Sequence, residues 1–450
     1  MTPACATVSL CQSTDVKGVT WHHVLAVASM IALAGCGTGK GPDWRKDTSS
    51  PFAETPIKDL QKRARQNDYF AMAHLGWRLD TGSGIEANPR EAASWYRRAA
   101  DLGNHSMAQN NLGCLYRDGR GVVQDYKMAA TLYRAAAKQG NRHAKTNLGW
   151  LFERGYGVAV DYREAFRLYS EAAAEIKDAR NGGIIPGHPM AQNNLGVLHR
   201  DGKGTPEDPF SAVKWFRKAA AANNHHAHHN LGVMHEQGVG VKRDLPAALR
   251  HYEAALNGGN INAITAVACL LEEGRGLTRN YQIAAQYYKA AADKGSTMAM
   301  LNLANMMHKG RGMSPDHIAA AELMRKAAEL GNAMAQAGFA AMLERGIGVR
   351  KNFTEAAKWY TRAAEQGLAV GQLNLGLLLN TSLTGEKDPV GAYKWMAIAA
   401  LNGNEAAQKF LKDFAKEMSD EQIAIAQSSA QAFVPKPVID DVPPPEGPQS

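Results

Sequence analysis

AQNNLGCLYRDGRGVVQDYKMAATLYRAAAKQG, residues 108–140, reads as two short helices joined by a glycine-marked turn, and it returns about every 36 residues as far as Gly403. With the glycine of Leu112-Gly113 as an anchor, the equivalent positions are 76, 113, 149, 196, 232, 268, 304, 340 and 376, with Ala at 268, 304 and 340. The spacings are 37, 36 and 47, then 36 five times. A fixed period of this size marks stacked supersecondary units, each burying its apolar face on its neighbours.

Apolar residues recur at helical spacing in two segments of each unit. In the unit quoted they are Ala108, Leu112, Leu115 and Tyr116, then Ala129, Leu132, Tyr133, Ala136 and Ala137. Glycines at anchor +6 and +8, kept in the first eight units and replaced by Ser382 and Thr384 in the ninth, let the chain reverse at positive φ. Position +12 is Asp or Asn nine times, from Asn88 to Asp388, just before the second helix, where a short polar side chain caps backbone N–H groups. Positions +16 and +23 are Ala nine times each, small enough for another helix to pass close by, and +20 is a large knob such as Tyr133. Glycine at +27 in seven units ends the second helix in the left-handed conformation.

Units such as NLGVMHEQGVGVKRDLPAALRHYEAALNGG, residues 230–259, resemble Sel1-like repeats, relatives of the tetratricopeptide repeat, over residues 70–405. The resemblance implies an all-α fold, a right-handed α-solenoid of nine helix pairs over 57–405, closed by a capping helix over 406–433. It also implies a protein-binding scaffold. The 47-residue spacing holds an insertion near 175–189, and the second helix of the third repeat is expected to run on to Ala179 before it.

The N-terminus reads as a targeting segment. Residues 24–35 are apolar but too short to span a bilayer, and they end in Leu33-Ala34-Gly35-Cys36, which resembles a bacterial lipobox. On that reading 1–35 is a signal peptide, Cys36 carries the lipid, and 36–56 is a flexible tether. Gly37 after the cysteine resembles the enterobacterial pattern that sorts to the outer membrane, so a periplasm-facing envelope lipoprotein is expected, with secretion as the alternative. Residues 434–450, with six prolines, read as a disordered tail.

The net charge of +8 comes from both signs interleaved, which argues against a nucleic-acid stripe. No phosphate loop, dinucleotide fingerprint or Ser-His-Asp signature appears, so no enzymatic activity, cofactor or small-molecule substrate is expected; a hydrolase with an unrecognised site is the weaker alternative. Specificity is expected on the face of the first helix turned from its own core, at −3, +1 and +4, about 180–240° from Ala108. There Trp77, Trp150, Val197 and Val233 offer apolar anchors, and Arg117, Glu153, Arg200 and Glu236 offer charge, for a protein or peptide in a concave groove. Asn111, Asn147, Asn194 and Asn230 at −2 are amides able to hold an extended peptide backbone or to bond a neighbouring loop. His225, His226, His228 and His229 form the one metal-like cluster, in which His225 and His229, four apart, could chelate on a helix face, but these are variable surface positions. His199 and His235 read as core residues.

Overall fold

The computed structural model describes residues 55–177 and 183–435. The proposed lipid site Cys36, the signal peptide, nearly all of the tether, most of the tail and residues 178–182 of the insertion lie outside the described residues. Helices in tandem pairs make up the described chain, which divides after Asn260 into two compact bodies.

The N-terminal body holds a lead helix, Ile57–Arg65, and five repeats. Their helix pairs are Tyr69–Thr81 with Pro89–Gly103, Ser106–Asp118 with Tyr126–Lys138, Arg142–Arg154 with Tyr162–Ala173, Pro189–Asp201 with Pro209–Ala221, and His225–Gln237 with Leu245–Asn257. The C-terminal body holds four: Ile261–Glu273 with Tyr281–Asp293, Thr297–Lys309 with His317–Glu329, Ala333–Arg345 with Phe353–Glu365, and Ala369–Leu379 with Pro389–Leu401. The segment expected as a single capping helix is two, Glu405–Phe414 and Asp420–Gln431, separated by a 3-10 turn at Ala415–Glu417. Ser419 starts the second with a reciprocal capping box to Gln422, an N-terminal signal inside the expected span.

The repeated positions do what their chemistry dictates. All nine +12 side chains accept a backbone N–H of the second helix they precede, as Asp125 does from Met128 at 2.9 Å. All eighteen alanines at +16 and +23 are fully buried. The anchor glycine admits the +20 knob: a Cβ on Gly113 would stand 2.7 Å from the Tyr133 ring. Seven of the +27 residues take positive φ, among them Asn223. Gly103 does not; the helix runs one residue further and Asn104 takes the left-handed turn, which absorbs the extra residue of the 37-residue spacing.

The first helices carry caps of their own, three residues before −5. Asp68, His105, Asn141, His188, Asn224, Ser296 and Asn332 each accept the N–H three residues on. Nor does the +8 glycine serve only the turn. A Cβ on Gly121 would overlap the backbone at Pro89–Arg90 of the preceding repeat, and Gly157, Gly204, Gly240, Gly312 and Gly348 meet the same place one repeat on. This is where successive repeats touch backbone to backbone.

The insertion differs from expectation. The second helix of repeat three stops at Ala173, and Ala174 is extended. A two-residue antiparallel hairpin follows, β1 (Ile176–Lys177) paired with β2 (Ile184–Ile185). The Arg142 guanidinium explains the early stop. It donates to the carbonyl of Ala174 at 2.9 Å and to that of Pro186, drawing both ends of the insertion onto repeat three.

Candidate partner-binding face

The stripe at +1 and +4 changes character along the N-terminal body. In repeats one to three it is largely closed. Trp77 is 4% exposed against His74, and Trp150 is 8% exposed against Tyr156, which itself stacks on Tyr126. Arg117 is 3% exposed and forks onto Asp118 at 2.6 and 3.0 Å. In repeats four and five Val197, Arg200, Val233 and Glu236 are half-buried, and Val197 rests against the core around Phe216, Leu231 and Met234. Arg200 donates to Asp201 at 2.7 Å.

The acids at +4 are anchored from within their own repeat. The Tyr169 hydroxyl donates to Glu153 at 3.0 Å, and Tyr252 to Glu236 at 2.6 Å. Tyr288 with Glu272 and Tyr360 with Glu344 repeat the bond in the C-terminal body. Burial raises the Glu153 pKa, against the pull of Arg154, the Tyr169 bond and Lys203. Burial likewise raises Asp80, which pairs with Arg120 of the next repeat. Arg311 reaches back to Glu272 in the same way at 3.0 Å.

The −2 asparagines bridge repeats. Asn111 donates to the Tyr96 hydroxyl at 3.3 Å, Asn147 to Asn110 at 3.0 Å, and Asn230 to Asn193 at 2.9 Å. Asn194 bonds the Tyr169 hydroxyl. Asn111 and Asn147 are buried; Asn194 and Asn230 are partly open. Their partners lie on the preceding repeat's helices. Where −3 of the preceding repeat is Asn, as at Asn110 and Asn193, the −2 amide of the next repeat donates to it.

His225 and His229 have different neighbours. The His225 ring lies 4.2 Å from His226, while His229 turns over Tyr252 and burial lowers its pKa to about 4. His199 packs edge-on to Phe166, and His235 stacks on His251; both are half-buried. Among the described residues no three His, Cys, Asp or Glu side chains are placed to hold a metal together. Nor is any helix there long and apolar enough to cross a membrane.

The Sel1 repeat model matches nine consecutive stretches, 70–104, 106–141, 142–175, 189–224, 225–260, 261–296, 297–332, 333–368 and 369–404. The chain belongs to the Sel1 repeat family. Sel1 repeats serve in general as non-enzymatic protein-interaction scaffolds. The nine stretches cover the nine helix pairs and step over the insertion. No curated protein matches the chain. Among solved structures, a protective antigen of uropathogenic Escherichia coli with an SLR fold is 24% identical, with 85% of this chain and 95% of that one covered and a TM-score of 0.44. A Sel1 repeat protein from Oxalobacter formigenes is 28% identical over 57% of this chain and 96% of that one, with a TM-score of 0.45. Yeast Tom70 is 15% identical, covering 90% and 91%, with a TM-score of 0.44.

Proposed function

We propose that this Sel1 repeat protein is a scaffold of the bacterial cell envelope, tethered by lipid on Cys36, that docks a partner protein or peptide on the first-helix stripe of repeats four and five. The observation that carries the docking site is the contrast along that stripe. Trp77, Arg117 and Trp150 are spent on packing, while Val197, Arg200, Val233 and Glu236 keep accessible surface. Two valines flanked by a cation and an acid give an apolar centre with charged edges, the arrangement of a protein-binding patch.

Binding of the natural partner to Val233→Asp and Arg200→Glu tests the site. The affinity should fall at least about tenfold, a loss of ~1.4 kcal/mol, with helicity and thermal midpoint unchanged. Equal binding by both variants would refute it. Cys36→Ala, or globomycin treatment, tests the anchor: the protein should leave the membrane fraction. Release into the medium by unmodified and substituted protein alike would favour a secreted effector.

A further inference from the structure

Outside the docking stripe, the two helices of repeat five bring a pair of histidines together. The Nδ1 atoms of His228, on His225–Gln237, and His251, on Leu245–Asn257, are 3.2 Å apart. Two nitrogens bound to one tetrahedral ion at their usual bond lengths stand about 3.3 Å apart. Of the histidine pairs at this separation among the described residues, His308–His317 is exposed and His188 of the His143–His188 pair is held by Ala191 and Thr146, which leaves His228 and His251 as the pair spaced for co-ligands. We propose that His228 and His251 form a two-histidine site for a divalent transition-metal ion of the zinc and copper class.

Three features prepare the site. The helices are locked together, because Gly232 gives room to the Tyr252 ring and the fully buried Ala248 and Ala255 admit close packing. His228 also hydrogen-bonds the backbone of Ala220 on the preceding repeat, the type of outer contact that orients ligating histidines. The His235 ring lies flat against His251 at 5.6 Å and 20°, covering one side of it.

The class of ion follows from the ligands, since imidazole nitrogen suits zinc and copper rather than hard, oxygen-seeking cations. The protein supplies two ligands, so water fills the other positions and leaves them open to a ligand from a docked partner.

Titration of the full chain with zinc chloride at pH 7.5, followed by calorimetry, tests this. One ion should bind per chain. His228→Gln and His251→Gln should each weaken it by at least about tenfold, while His225→Gln and His317→Gln leave it unchanged. In the unsubstituted protein, substoichiometric cupric ion should broaden the imidazole resonances of His228 and His251 before those of His308 and His317. That second readout decides the matter should a substitution disturb folding. An absence of binding, binding that survives the double substitution, or earlier broadening elsewhere overturns the site.

Discussion

Glycines that look alike in the sequence carry different loads. Gly121 and Gly140 both have positive φ, at 70° and 87°. A Cβ at Gly140 meets nothing within 4 Å, whereas one at Gly121 runs into the backbone at Pro89–Arg90. Gly140→Ala should cost about 1 kcal/mol, from conformation alone. Gly121→Ala should cost about 2 kcal/mol or more, since two repeats must part. Urea unfolding of the two variants separates these values, and equal losses would refute the close-approach role. Among the tryptophans, Trp150→Ala should cost about 3–5 kcal/mol, and thermal melts should register that loss wherever the partner binds.

The second helix of every repeat is capped by one side chain at +12. Asp125→Ala should remove about 1 kcal/mol through loss of the cap, and Asp125→Asn much less, as denaturant midpoints will show. Just past the hairpin, the cap of the next helix, His188, meets His143 of repeat three. His188 Nδ1 accepts the Ala191 N–H at 3.3 Å and lies beside Thr146, so its proton sits on Nε2, 3.1 Å from His143 Nδ1. Burial, then His188, holds the His143 pKa well below its usual value. The unfolded chain therefore takes up the proton first as pH falls below about 6.5. Stability from the neutral His143 is complete above that pH and is lost on acidification. Denaturant midpoints should fall between pH 7.5 and 5.5, and His143→Gln should flatten that slope; an unchanged slope would contradict the arrangement.

Across the whole molecule, the sequence made the repeat legible and the contacts between repeats obscure. Caps at +12, alanines at +16 and +23 and turn glycines recur at one position, so comparing repeats with one another reveals them. The Tyr169–Glu153 bond joins +20 to +4, the Gly121 contact joins +8 to the preceding helix, and His228 meets His251 from across a helix pair. No single-position comparison exposes such couplings. The wheel that put Trp77, Arg117 and Trp150 on an outward face treated each helix alone, and neighbouring structure covers them. The same wheel placed Val197 and Val233, which stay partly open.

Docking on the first-helix stripe of repeats four and five brings a partner within reach of Val197 and Val233. A photoreactive amino acid at Val197 or Val233, compared with one at Lys214 on an outer second helix, tests it most directly in cells. One discrete crosslinked partner is expected from both valine positions and none from Lys214. A partner captured only from Lys214, or equally from all three, would contradict it.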